Sequence, residues 1–405
     1  MDISQIPVAL VAIPSAVIGI GWVANTWIRV KHGYPLENSW GKAVYPKNDQ
    51  AAERVKLLTQ ENAALQAELG SLKDRLANVE RIVTDSGYHL THEIETLRER
   101  ARLLARVRGF FAARDVLEVE TPALGHGGST DVHLAALSLS ATTGAGRERL
   151  WLQTSPEFAM KRLLAAGSGP VFQLARCFRD GEVGPRHNLE FTMLEWYRPG
   201  FSLAELIDES VALVRELLPE AGPRRLRRYR ELFREQLQVD PFTAPLDALR
   251  RLAGERGGLD MHDADRDGCL DLLMGLVIEP TLGREGIDVV IDYPASQAAL
   301  ARHHRDGEGE LVAARFELYV AGLELANGYD ELTDAAEQAR RFAEDNARRR
   351  ALGKPEVDVD ARLLAALEAG MPEGSGVALG IDRLIQLALG KARVEDVMAF
   401  ASPRC

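Results

Sequence analysis

A chain of 405 residues, 46% hydrophobic and 27% charged, is too long for one core and too apolar to be disordered, so two or three segments are expected. Its 60 Asp plus Glu exceed 49 Lys plus Arg, a net charge of −11 that has the wrong sign for a protein whose main partner is a long polyanion. Cys177, Cys269 and Cys405 are too few and too scattered for a disulfide framework or a cysteine metal site, which points to a reducing compartment.

From Ile3 to Ile28 no residue is charged, and the run is long enough to cross a bilayer as a helix. A cleaved signal peptide fits less well, because the start Met1–Asp2 is acidic and no small-residue cleavage site follows. Arg29 and Lys31 come after the run and Asp2 before it, so the positive-inside rule places the rest of the chain in the cytoplasm. The expectation is a transmembrane helix over 1–31 that anchors the protein to the inner membrane, then a linker over 32–50 containing Gly33, Pro35, Gly41 and Pro46.

Residues 51–95 carry heptads. Val55, Asn62, Leu69, Leu76 and Val83 fall at a positions and Leu58, Leu65, Leu72 and Val79 at d, the spacing of a parallel coiled-coil dimer. Asn62, the lone polar a residue, fixes register at a cost in stability. Glu68 with Lys73 and Arg75 with Glu80 have the g-to-e′ spacing of interchain pairs. A single amphipathic helix lying on the following domain is the competing reading.

Past residue 95 helix and strand signals alternate. They predict an amphipathic helix over Leu97–Ala113, a short strand in VLEVETPAL stopped at Pro122, and strands at 171–179 and 190–197 around a polar loop. Ser202 and Glu205 form a capping box that opens a long helix. Helices dominate 224–280, strands return at 287–292 and 314–327, and GVALGIDRLIQLALG reads as a strand running into a helix. Without regular βαβ units the expected fold class is α+β, an antiparallel sheet flanked by helices. The basic stretch Arg224–Arg234 reads first as a solvated helix face and second as a dock for an acidic partner.

Three segments carry side chains suited to chemistry. In residues 176–200 Arg179 ends one strand, and the return strand sets Phe191, Met193, Glu195 and Tyr197 on one face by alternation. A guanidinium, an aromatic plate and a tight loop are what a nucleotide needs, although a hairpin with an outward arginine is commonplace. In residues 315–332 a turn at Ala321–Gly322 pairs Tyr319 with Glu324, so Glu317 and Glu324 project diagonally from one face. Such carboxylates repel unless a cation lies between them, and Mg²⁺ carried by nucleotide phosphates suits them; an exposed acidic face is the alternative. Asn327 and Glu331 follow, with Glu331 placed to receive a substrate ammonium. In residues 376–384 Gly380 turns strand into helix, Asp382 reads as a structural cap, and Arg383 in the first helical turn suits a terminal phosphate.

Together these segments resemble the signature motifs of class II aminoacyl-tRNA synthetases: Pro122 the motif 1 proline, FRDGEVGPRHNLEF motif 2, and GVALGIDR motif 3. TSPEFAMKRL, RHNLEFTMLEWY and FELYVAGLELANGYDELTDA are similar to the lysine subclass. One branch fits better still. From about residue 97 to 405, including YPASQAALA, the chain resembles the EpmA (GenX/PoxA) family, lysyl-tRNA-synthetase paralogues that attach (R)-β-lysine to a lysine of elongation factor P. No segment before residue 97 reads as the anticodon-binding barrel, and Ala378 stands where lysyl-tRNA synthetases carry glycine.

The resemblance implies a class II catalytic domain over 97–405 that uses ATP and Mg²⁺ to form an aminoacyl-adenylate of lysine or (R)-β-lysine. Elongation factor P would be the acceptor in place of tRNA, and the domain would pair as a homodimer through motif 1. It further implies that Arg179 meets the α-phosphate and the substrate carboxylate, that His187 and Arg383 meet the outer phosphates, and that Phe191 meets the adenine. Asn188, Leu325 and Gly380 would join the nucleotide site, and Glu317 and Glu324 would hold magnesium. Ser155, Glu157, Tyr197, Asn327, Glu331 and Ala378 would surround the amino acid. Where the synthetase motif has glutamate this chain has Gly181, with Glu182 one residue later. A shortened lysyl-tRNA synthetase and a membrane-anchored scaffold with an inactive domain are the alternatives. The first hundred residues lie outside the resemblance and read either as a membrane tether or as the fusion of two neighbouring reading frames.

Overall fold

The computed structural model describes Trp27, Lys31 and residues 49–402. Trp27 and Lys31 apart, the expected membrane span lies outside the described residues, as does the linker up to residue 48. Among the described residues no helix is long and apolar enough to cross a membrane. The chain divides into two compact units, Met1–Leu90 and Thr91–Cys405.

Helix α1 (Asp49–Ala112) begins in the first unit and ends in the second. The separate helix expected at Leu97–Ala113 is therefore the last part of α1, because no proline stands between the heptads and Leu97 and the single Gly87 costs only about 1 kcal/mol. Within the first unit Leu65, Leu69, Leu72 and Leu76 are all exposed, so these four positions of the heptad stripe have no cover.

In the second unit β1 (Leu117–Glu118), β2 (Leu124–Gly125), β3 (Ser138–Thr143) and β4 (Gly146–Leu152) come first. Then follow α2 (Glu157–Ala165), β5 (Val171–Phe178), β6 (Glu190–Pro199), α3 (Leu203–Leu217) and β7 (Arg224–Arg228). Helices α4 (Tyr229–Leu237), α5 (Leu246–Gly257) and α6 (Arg266–Leu273) precede β8 (Ile287–Pro294) and β9 (His303–Arg305). The hairpin β10 (Leu311–Val320) and β11 (Leu323–Asp330) leads to α7 (Ala335–Ala351), α8 (Ala361–Gly370), β12 (Gly374–Gly380) and α9 (Ile381–Ala388).

One sheet runs in the order β1-β5-β6-β12-β11-β10-β8-β7, with β9 also paired to β10, while β2, β4 and β3 form a small second sheet. Pairing in the large sheet is antiparallel except at its ends, where β1 joins β5 and β7 joins β8 in parallel. Both parallel pairs close over long intervening segments, as parallel pairing demands. The expected antiparallel sheet flanked by helices is thus present, with two parallel edges that the sequence did not announce.

Alternation divides the sheet into two faces. Leu194, Trp196, Phe316, Leu318, Val377 and Leu379 point one way and pack with Phe111 of α1, Val214 of α3 and Leu384 of α9. Phe111 stacks on Phe172 at 4.4 Å and meets Trp196 edge-on at 5.3 Å. Met193, Glu195 and Tyr197, between those apolar residues, point the other way. The Ser202–Glu205 capping box is formed.

Two local expectations are corrected. Arg224–Arg228 is an edge strand, and its arginines and those of α4 are spent on nearby acids: Arg225 on Asp288 at 2.8 Å, Arg230 on Asp306 at 3.0 Å and Arg234 on Glu308 at 2.7 Å. The stretch is therefore neither one helix face nor an open basic patch. Asp382 does not cap its own helix; it accepts from the Thr192 amide at 2.7 Å and pairs with Arg100 at 2.6 Å, so it ties α9 to β6 and α1.

Candidate active site

Register across the open face of the sheet lines up residues that are far apart in sequence. Gln173, Glu195, Ala378, Asn327 and Glu317 lie side by side on β5, β6, β12, β11 and β10. The next rung on the same face holds Val171, Tyr197, Gly376, Tyr329 and Arg315. Above them is a cavity of about 1840 Å³, and every site residue expected from the sequence lines it.

At one end the loop between β5 and β6 meets the start of α9. The Arg179 guanidinium sits 5.0 Å from the Phe191 ring centre, and its buried Nε has no hydrogen-bond partner. Arg383 donates to the Glu324 carbonyl at 2.9 Å and reaches the Nε2 of His187 at 2.6 Å. Burial and the neighbouring Arg383 charge lower the pKa of His187, favouring its neutral form. Glu182 lies 3.7 Å from Arg179 and 3.9 Å from His187. Asn188 lines the cavity, but its side chain braces the loop, donating to the Glu190 carbonyl at 2.6 Å and accepting from the Ser402 amide at 3.0 Å.

In the middle the β10–β11 turn falls at Ala321–Gly322, both with positive φ, and Tyr319 pairs with Glu324 as expected. A shift in register after Leu318 leaves Leu325 as the extra residue of a bulge, buried against the cavity. Glu317 accepts from Tyr293 at 2.6 Å and also meets Tyr319 and Arg315, while Arg315 donates to Asn327 at 3.2 Å. Burial and the nearby Glu317 raise the pKa of Glu324, and burial with Glu324 pushes Glu279 up to about 7. Oxygen donors crowded this closely suit a hard divalent cation. Among the described residues no group of three or more His, Cys, Asp or Glu could hold a metal ion by itself.

At the other end three carboxylates converge, Glu195 and Glu331 buried and Glu157 half-buried. Ser155 and Tyr197 each donate to Glu195 at 2.5 Å, and burial with the charge of Glu157 pushes Glu195 up to about 8. The Lys161 ammonium lies 2.6 Å from both Glu157 and Glu331. Gly376 permits this closeness: a Cβ there would stand 2.3 Å from the Tyr197 ring and 2.4 Å from a Glu331 oxygen. Sequence reading missed Lys161, Gly376, Arg315, Tyr293 and Glu279, and assigned no task to Glu195. The signals were present for two of them, since Lys161 follows Glu157 by one helical turn and Glu195 alternates with Met193 and Tyr197.

The arrangement brings together cations and an aromatic plate that could take a nucleotide, carboxylate oxygens that could hold a metal, and an acidic pocket that could take ammonium groups. A model of the tRNA synthetases class II (D, K and N) matches residues 90–404. An elongation factor P–(R)-β-lysine ligase of Actinobacillus succinogenes is 49% identical over 313 residues, 77% of this chain and 96% of that protein. Proteins of the same name from Erwinia tasmaniensis and Pseudoalteromonas translucida are 48% and 49% identical, covering 77% and 76% of this chain and 96% and 95% of their own lengths.

Proposed function

The chain belongs to the class II tRNA synthetases (D, K and N) and within them to the elongation factor P–(R)-β-lysine ligases, and from that membership we propose that it activates (R)-β-lysine with ATP and joins it to a lysine side chain of elongation factor P. The observation that carries this reading is one cavity holding Arg179, Phe191 and Arg383 at one end and Glu157, Glu195 and Glu331 at the other.

Phe191 stacks the adenine, Arg179 orients the α-phosphate against the substrate carboxylate, and Arg383 with His187 holds the outer phosphates. Glu317 and Glu324 hold Mg²⁺, which when bound neutralises phosphate charge. The carboxylate attacks the α-phosphorus and displaces pyrophosphate; the acceptor amine then attacks the acyl carbon and releases AMP. No protein nucleophile is required, so rate comes from alignment and from charge placed where it develops. Glu182 takes the place of the absent motif 2 glutamate, and Ala378 shapes the wall beside the amino acid.

The heptads of α1 pair two chains in parallel, the catalytic units also pair, and the apolar run before residue 29 tethers the protein to the inner membrane with the catalytic unit in the cytoplasm. The heptad spacing, the resemblance to class II domains and the uncharged run Ile3–Ile28 support these three features in turn.

The test supplies the full chain with ATP, Mg²⁺ and labelled lysine or (R)-β-lysine, offering elongation factor P and lysine tRNA in parallel. Label on the factor is expected. Label on tRNA alone makes the chain a lysyl-tRNA synthetase, and absence of ATP consumption supports the scaffold reading.

A further inference from the structure

We propose that Lys161 is the built-in counter-charge of the amino-acid pocket, a positioning residue that parts Glu157 and Glu331 and thereby fits the pocket to a ligand with two ammonium groups. The proposal rests on reading this end of the cavity as the amino-acid site. Lys161 is only 2% exposed, and a lysine is almost never that buried unless paired. Here it is paired twice, at 2.6 Å to Glu157 on its own helix and at 2.6 Å to Glu331 beyond β11. Among the described residues these are the only ion pairs of either carboxylate, and both Glu331 oxygens remain buried without another hydrogen-bond partner.

Other groups close the pocket from each side. Glu195 and Tyr197 face it from β6, Tyr329 and Asp330 come from β11, and Ser155 precedes α2. Once all three carboxylates are ionised, as a bound diammonium ligand favours, they outnumber the one built-in ammonium by two negative charges, the complement of a diammonium amino acid whose own carboxylate meets Arg179. Burial opposes charge on Lys161, but Glu157 and Glu331 outweigh it and hold its pKa above the ordinary value. Burial pushes Glu331 up to about 7 and Glu195 up to about 8, even with the ammonium present. Without it, the carboxylates keep their protons to higher pH, and a diammonium ligand has to displace them.

The experiment compares wild type, Lys161→Met, Lys161→Arg and the double variant Lys161→Met/Glu331→Gln as full chains. Lysine binding is followed by calorimetry from pH 6 to 9, and melting is followed over the same range. Wild-type affinity is expected to rise with pH and level off near 8. In Lys161→Met that plateau moves up by at least one pH unit and affinity at pH 7 falls at least tenfold, whereas Lys161→Arg keeps the wild-type profile. The melting deficit of Lys161→Met widens as pH rises, because raised carboxylates cost stability once they must ionise, and the widening shrinks in the double variant, in which only Glu195 still has to ionise at higher pH. A buried lysine that merely fills space would lower melting equally at every pH and leave the plateau in place, and that result overturns the proposal. Absence of lysine or (R)-β-lysine binding by wild type overturns the reading of the site, while the melting profiles still decide what Lys161 does. If Lys161→Met does not fold, a double variant that folds supports the counter-charge, and a double variant that also fails to fold rejects it.

Discussion

The Nη2 of Arg383 lies 2.6 Å from the Nε2 of His187, joining the first turn of α9 to the β5–β6 loop 196 residues earlier. The same guanidinium holds the Glu324 carbonyl at 2.9 Å, so one side chain touches all three segments that the sequence marked for chemistry. Arg383→Ala should lower lysine-dependent pyrophosphate exchange by about 10²–10³-fold, the usual cost of one lost charge-stabilising donor. The fold should survive, because α9 keeps its apolar face and the Asp382–Arg100 pair. Exchange within a few-fold of wild type would contradict the phosphate assignment.

Glu324→Ala relieves the burial of a carboxyl and its repulsion by Glu317, the two causes that raise the pKa of Glu324, and at once removes the proposed Mg²⁺ ligand. The ligand-free variant should therefore melt at or above the wild-type temperature near neutral pH, while the Mg²⁺ concentration for half-maximal exchange rises at least tenfold. An unchanged Mg²⁺ titration would show that the metal is held elsewhere.

Glu195 makes a prediction about pH. In the unfolded chain a glutamate ionises near about 4.3, whereas burial and Glu157 keep the native Glu195 protonated up to about 8. A carboxyl raised in the native state gives its full contribution below the unfolded pKa and loses it as pH climbs to the folded one. Glutamine does not ionise, so the melting temperature of Glu195→Gln should gain on wild type between about pH 5 and 8 and then hold a constant difference, and the variant should bind lysine at least tenfold more weakly. A melting difference that stays flat across this window would mean that Glu195 is ionised throughout.

The uncovered leucines of α1 make a prediction about assembly. In a chain carrying Cys405→Ser and Leu69→Cys, an in-register parallel pair places the two introduced thiols at facing a positions, and mild oxidation should give a disulfide-linked dimer. Cys177 and Cys269 are buried and should not compete. Replacing Leu65 and Leu72 with glutamate should abolish the cross-link. A chain that stays monomeric in non-reducing gels would reject the coiled coil.

Local rules in the sequence determined much of this protein. Alternation in β6, the turn at Ala321–Gly322 and the strand-to-helix change at Gly380 depend on neighbours within a few residues, and each is found where the sequence places it. The motif residues were legible for the same reason. What only the tertiary structure decided depends on register and on partners remote in the chain. That Glu195, Ala378, Asn327 and Glu317 share one rung follows from how four strands pair. That Arg224–Arg228 is a strand follows from Asp288 waiting on β8. Lys161 reads as one more charge on a helix until Glu331, 170 residues further on, closes over it at 2.6 Å. Short-range periodicity cannot encode such a meeting, because its free energy comes from burying charges that the fold must first bring together.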